Sequence, residues 1–289
     1  MSQPLVAKIQ VRSAKRTKRS VSHTIIDIVL LIIGLLMVAP LVWMVSTAFT
    51  SPEAAFGMPP NWLPIPFSWL NVSDVFGLIP FWQMALNSLT VAAIAVLGSL
   101  LSSVLAAYAF SRIPFPGSRS IFILLLAALM VPVQLTIIPL FIMMRNLGLV
   151  DNIASLWLPA LVNVFAIFFV KQYFDSIPRE LDEAARIDGA GHLRILFRIL
   201  VPLSAPALSA VSILAFEASW NNYFGPLIFL SSPQNMTLPI GLVSLSTGYG
   251  GPPAVVFAAI TLVVIPVLVL FLVFQRSIVE SVASVGIRG

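Results

Sequence analysis

No cysteine occurs in the chain. A disulfide framework, a thiolate nucleophile and a Cys-ligated metal site are therefore excluded, and redox chemistry gives no clue to the compartment. Histidine is nearly absent: His23 and His192 stand alone, with no second ligand or acid at metal-binding or catalytic spacing. The phosphate loop G-x-x-x-x-G-K-[ST] is missing, so this chain does not bind ATP through such a loop, and if it uses ATP a partner supplies the site. No internal repeat is visible, which weighs against a secondary transporter built from inverted halves. Charge is scarce too, at 9% of residues against 59% hydrophobic ones, and the mean hydropathy is +1.01. Such a composition points to an all-α integral membrane protein rather than to a soluble fold.

What fills the chain instead is apolar runs of spanning length, at about 25–48, 84–110, 121–144, 153–173, 205–229 and 254–274. Each is near or above the ~20 residues that a helix needs to cross a bilayer, so six transmembrane helices are expected. The first run is too long for a signal-peptide core and no cleavage site follows it. Pro40, Pro132, Pro139, Pro159, Pro226 and Pro266 fall inside these runs and predict kinks satisfied by neighbouring helices.

The few cations are distributed one-sidedly. Residues 1–23 hold Lys8, Arg12, Lys15, Arg16, Lys18 and Arg19 with no acid, and form a basic N-terminal segment ahead of a membrane domain at 24–289. Arg112 with Arg119, five cations between Lys171 and Arg198, and Arg276 with Arg288 fall on the same side, and only Arg145 falls opposite. The positive-inside rule places both termini in the cytoplasm. The opposite side has the 34-residue loop from Phe49 to Trp82, with six prolines, Trp62, Trp69 and Trp82, and no Lys or Arg. It reads first as stiff turns within an interfacial aromatic belt, and second as a surface for a soluble carrier.

One charge-dense segment interrupts the apolar runs. From Lys171 to Arg198 there are five basic and five acidic residues. Pro178 suits a first helical turn, Glu180 favours the positive helix N-terminus, and Gly189 can close a left-handed cap, which predicts a helix over 178–188. On it Leu181, Ala184 and Ala185 share a face of small residues, while Glu180, Asp182, Glu183 and Arg186 spread over the rest. After Gly189-Ala190-Gly191 a second helix carries Leu193, Leu196, Phe197 and Leu200 on one side, Arg194 and Arg198 on another. Two plain alternatives exist: a partnerless amphipathic hairpin at the membrane surface, and a nucleic-acid-binding helix-turn-helix, against which the balanced charge argues.

Glu183-Ala184-Ala185, Gly189, Ile199 and Pro202 resemble the EAA loop of bacterial ABC-importer permease subunits, EAA-x3-G-x9-I-x-L-P, with Val201 where that pattern has Leu. From about Asn87 to Gly289 the chain is similar to the carbohydrate-importer permeases of the six-span, maltose type. The resemblance implies a cytoplasmic coupling loop, 175–202, between spans four and five, whose Glu183, Ala184, Ala185, Asp188 and Gly189 dock on an ATP-hydrolysing subunit. It implies a multi-pass subunit of the bacterial cell membrane that is not itself an enzyme. A second permease subunit would complete a heterodimer with two ATP-binding subunits and an extracytoplasmic substrate-binding protein, surrounded by lipid, with no nucleic acid involved. The tail from Gln275 to Gly289 resembles the family's C-terminus, which inserts between the ATPases, although Ser281, Ser284 and Val285 depart from its usual residues.

Two further sets are candidates. In span five Glu217, Trp220, Asn221 and Phe224 fall at i, i+3, i+4 and i+7 with Asn222 beside them, an aromatic and amide face suited to a sugar. A carboxylate in hydrocarbon is costly, so Glu217 should meet a cavity or a partner. The plainer reading is interhelical glue, with Trp220 as an interface anchor. Ser246, Thr247, Gly248, Tyr249, Gly250 and Gly251, between the last two spans, would by resemblance reach the binding protein. Their T-G-Y-G lacks the valine of the potassium filter T-V-G-Y-G, which argues against a channel. The alternative from another class is an ATP-independent channel or secondary transporter with protons coupled through Glu217, and a further one is a scaffold that anchors ATPases without flux.

Overall fold

A computed structural model describes residues 21–247 and 251–286. The basic segment up to Ser20, Gly248 to Gly250, and Ile287 to Gly289 lie outside the described residues. Fourteen α-helical segments follow one another: α1 Val21–Ala48, α2 Leu70–Leu78, α3 Phe81–Arg112, α4 Ser118–Ala128, α5 Val133–Asn146, α6 Ala154–Ala160, α7 Val164–Ser176, α8 Glu180–Ile187, α9 His192–Ile195, α10 Val201–Leu203, α11 Ala205–Trp220, α12 Phe224–Phe229, α13 Leu238–Thr247 and α14 Pro253–Gly286. Extended pairing among the described residues is a single bridge, Thr50 to Phe67.

Four stretches are helical, long and apolar enough to cross a membrane: Ile25–Ala48, Phe81–Arg112, Ala154–Ser176 and Pro253–Val273. The expected third span is not continuous. It is α4 and α5, bent by 98° at Leu129–Pro132, where proline removes an amide donor and restricts the residue before it. At 1.5 Å per residue these halves are only ~16 and ~21 Å long. The expected fifth span, 205–229, also breaks: α11 ends at Trp220 and α12 restarts at Phe224. Ahead of it His192–Leu203 meets Ala205–Trp220 at 80°.

The α3 helix is the axis of the bundle. It packs along α7 and α11, while α14 packs on α1, α2 and α11. Its inner face is built from small residues, Gly98, Ser99, Ser102, Ser103 and Ala107, which lets neighbouring backbones approach closely. The closest approach is at the α6–α7 break: a Cβ added at Gly98 would lie 2.2 Å from Leu161 Cδ2 and 3.3 Å from its Cα. Ser102 Oγ donates to the Leu161 carbonyl at 2.6 Å, and Asn163 caps α7 by accepting the Ala166 amide at 3.0 Å. The outward side of α1 is apolar and exposed, with Leu36 at 68% and Met37 at 74%, as lipid contact requires.

Between α1 and α2 the chain is tied back by Asn71, fully buried, whose Nδ2 donates to the Thr50 carbonyl at 2.7 Å. Phe49 stacks on Phe67 with Trp69 edge-on to both, and Trp62, Trp69 and Trp82 are exposed.

Gly98→Val should overpack the α3–α6/α7 contact at a cost of ~1–3 kcal/mol, seen as a lower thermal midpoint in detergent. Gly34→Val in α1 is the control, because a Cβ there meets nothing within 4 Å; equal midpoints for the two variants would refute the close-approach account.

Candidate functional site

The charge-dense segment folds as a hairpin whose turn is set by backbone geometry. Helix α8 runs over Glu180–Ile187, slightly shorter than 178–188, with Asp188 as its C-cap. Gly189 adopts φ +78. Its amide donates to the Arg186 carbonyl at 3.0 Å and the Ala190 amide to the Ala185 carbonyl at 2.9 Å, the paired bonds of a Schellman cap. A side chain at this φ is strained, whereas the space around Gly189 is open.

The face that α8 buries differs from the expected one. Asp182, at 4% exposure, and Ala185 turn inward, while Glu183 and Ala184 are exposed together with Asp188 and Gly189. The outward apolar stripe is Leu181, Ala184 and Ile187, and Ile187 is 87% exposed. The second helix departs too. A π-helical turn at Leu196–Leu200 precedes Pro202, which has no amide for the Arg198 carbonyl. Ile195, Leu196 and Leu200 are buried, but Leu193 and Phe197 are exposed, so the predicted four-residue face is split.

The C-terminal end of α3 holds this hairpin. Arg112 Nε lies 2.7 Å from Asp182 Oδ2, with both side chains buried, and its Nη2 donates to the Ile177 carbonyl at 2.8 Å. Ser111 Oγ donates to Asp175 Oδ1 at 2.7 Å, Arg179 donates to the Ser111 carbonyl at 3.0 Å, and Tyr108 Oη pairs with His192 Nδ1 at 2.9 Å. Sequence reasoning counted Arg112 for topology and placed Asp182 on a solvated face; a buried ion pair between distant segments leaves no local spacing to find it by.

A cavity of about 360 Å³ opens between α3, α6, α7, α11 and α12. Its polar lining is Ser88, Ser99, Asn163, Ser219, Asn222 and Thr237, and no residue lining it is charged. Of the predicted substrate-path set only Asn222 lines it. Trp220 is 3% exposed, stacks on Phe216 at 5.4 Å and donates to the Val263 carbonyl at 3.3 Å, so it is core. Asn221 caps α11 and Phe224 begins α12. The helix break therefore separates Phe224 from the face of Glu217, which is exposed.

On the side away from the hairpin, Asp151 ties two connections together. It has φ 57, and its carboxylate accepts from the Ser232 hydroxyl and from the Ser231 and Ser232 amides at 2.9 Å each. The Asn235 side chain donates to its carbonyl at 2.6 Å. Asn87 donates to the Gln234 and Met236 carbonyls at 2.8 and 2.9 Å, so the segment is also fastened to α3. Ser246 and Thr247 end α13, exposed, with both hydroxyls donating to the Val243 carbonyl. Gly251 donates to the Leu245 carbonyl at 3.0 Å, and Gly248, Tyr249 and Gly250 lie outside the described residues.

Replacing Asp182 with Leu leaves a buried guanidinium unpaired, an expected loss of ~3–5 kcal/mol. Adding Arg112→Leu should recover much of it, and losses that add across the cycle of Asp182→Leu, Arg112→Leu and the double variant would show that the pair is not coupled. At Asp151 the Ser232 hydroxyl, then the two amides, hold the carboxyl below its ordinary value of 3.8. Its stabilisation is complete above that value and is lost as pH falls further. Asp151→Asn at neutral pH should accordingly speed hydrogen exchange of the Ser231 and Ser232 amides; unchanged exchange would show the carboxylate is dispensable.

Over residues 98–284 the chain matches the family described as "Binding-protein-dependent transport system inner membrane component". It is 38% identical over 209 residues to the arabinooligosaccharides transport system permease protein AraQ of Halalkalibacterium halodurans, covering 72% of this chain and 75% of that protein. It is 34% identical over 265 residues to the sn-glycerol-3-phosphate transport system permease protein UgpE of Yersinia pestis, covering 89% and 94%. The crystal structure of a bacterial ABC transporter involved in the import of the acidic polysaccharide alginate contains a similar chain, with a TM-score of 0.78 and 28% identity over 90% of this chain and 99% of that one. The matched region takes in the lower part of α3, the hairpin with its Schellman-capped α8, and most of the cavity wall: the chain belongs to the inner-membrane components of binding-protein-dependent transport systems.

Proposed function

We propose that this chain is one of two membrane subunits of an ATP-driven importer of a carbohydrate, and that α8 docks on a cytoplasmic ATPase. The observation that carries this is the outward stripe of α8. An isoleucine 87% exposed on a charged helix outside the apolar spans is left uncovered by the core of its own chain, and a partner's groove would cover it. Glu183, Ala184, Asp188 and Gly189 flank it on the open side, and Ala185 supports the helix from below.

The ATPases, holding ATP and Mg, close when ATP binds, because ATP favours the closed state. Docked α8 moves with them, and the Arg112–Asp182 pair carries the displacement to α3. Alternating access then exposes the path first to a binding protein outside and later to the cytoplasm. In this reading each bent pair counts as one crossing, giving six, with both termini cytoplasmic and α8 between the fourth and fifth. Ser246, Thr247 and Gly251 contact the binding protein, and a second permease completes the heterodimer.

The named relatives handle an arabinooligosaccharide and a glycerol phosphate, and the solved neighbour an acidic polysaccharide. The cavity favours a neutral sugar for this chain, since hydroxyls and amides line it and no Lys or Arg is present to hold a phosphate. An ATP-independent carrier would instead move substrate in vesicles lacking any ATPase.

Ile187→Asp should insert normally yet lose the ATPase. Removing an exposed apolar side chain from such an interface weakens association by at least ~10-fold, on the ~1.5–3 kcal/mol scale of burying one. Wild-type retention of the ATPase on co-purification would overturn the docking role.

A further inference from the structure

Two breaks in apolar helices open on one space. The first, at residues 161–163 between α6 and α7, and the second, at 221–223 between α11 and α12, both contribute wall to the 360 Å³ cavity through Val162, Asn163 and Asn222. Irregular backbone at membrane depth persists only where protein buries it or where it lines a polar cavity. The breaks are closed in the same way: Asn163 Oδ1 accepts the Ala166 amide and Asn222 Oδ1 the Gly225 amide, each at 3.0 Å. In both, the oxygen serves its own helix and the Nδ2 donors are left over.

Three hydroxyls add to them. Ser99 and Thr237, 1% and 4% exposed, have Oγ and Oγ1 atoms with no hydrogen-bond partner. Ser88 Oγ accepts the Leu238 amide at 2.9 Å, and its proton remains to be given. A buried polar atom left unpaired costs ~1–3 kcal/mol, and two of the seven such side-chain atoms among the described residues, Ser99 Oγ and Thr237 Oγ1, border this one space.

We infer that this cavity is a saccharide subsite contributed by this subunit itself, a neutral sugar completing the hydrogen bonds of Ser88, Ser99, Asn163, Asn222 and Thr237. The inference rests on the reading of the chain as a carbohydrate importer. Sugar hydroxyls and ring oxygens accept from the two amides, and the serine and threonine oxygens can accept in return. Val91, Ala95 and Leu156 give an apolar wall for the ring's C–H face. The volume is at the low end of the ~300–1,000 Å³ of small-molecule sites, so the cavity takes one end of an oligosaccharide. The uncharged lining disfavours an anion.

Because the chain has no cysteine, Ser219→Cys places a single thiol of this subunit on the cavity wall. The test uses the complete transporter, its other subunits freed of cysteine, in lipid bilayers with its binding protein. ATP-driven uptake of arabinotriose, an alginate trisaccharide and sn-glycerol 3-phosphate is measured first; import of neither saccharide would sink the carbohydrate reading itself. The imported saccharide is then the probe. At ten times its dissociation constant it should slow maleimide labelling of the thiol by roughly tenfold. Ser99→Ala with Thr237→Val should weaken that protection by about tenfold or more. Saccharide import together with labelling that the saccharide does not slow would overturn the subsite while leaving the importer reading intact, as would unweakened protection in the double variant. If the double variant fails to assemble, protection of the Ser219→Cys thiol decides alone.

Discussion

A backbone carbonyl or amide inside hydrocarbon has no water to turn to, and that constraint decides where this chain can break its helices. At the two interruptions that border the cavity side chains supply the missing bonds: Ser102 takes the Leu161 carbonyl, Asn163 the Ala166 amide and Asn222 the Gly225 amide. The small face of α3 is what brings the first of these within reach. Gly98 lets the Leu161 backbone lie against the helix, and a larger residue would push the break away from its donor.

The same helix links two ends of the molecule. Ser88 and Ser99 border the cavity, while Tyr108, Ser111 and Arg112, at the C-terminal end, hold the hairpin. From Ser99 to Arg112 is about 20 Å along a continuous helix at 1.5 Å per residue, so the hairpin and the cavity are joined by one unbroken element. The ion pair fastens that joint. Its two charges are out of water, and parting them would leave each unpaired at high cost.

Around the hairpin, local chemistry was legible and orientation was not. Gly189 was placed at a left-handed cap from its position after an acidic-to-basic helix, and the geometry agrees. Helical spacing also showed that α8 has an apolar side, but spacing cannot tell which side meets the bundle. Spacing groups Leu181 and Ala184 with Ala185, whereas the exposed stripe continues to Ile187 and the bundle side is Ala185 with Asp182. An aspartate reads as solvated until its partner is known, and Arg112 is distant in sequence.

Composition, apolar run length and one-sided cations by themselves determined an all-helical membrane protein and the position of its water-facing hairpin, because those features follow from the cost of charge and unpaired backbone in lipid. Tertiary structure alone decided that three of the six apolar runs are bent or broken, that Trp220 is core while Asn222 lines a cavity, and that Ser99 and Thr237 share that cavity with it. Those outcomes depend on which helix lies opposite which. Hydrophobic periodicity records that a residue is apolar or small, but the partner that fills or opens the space beside it comes from elsewhere in the chain.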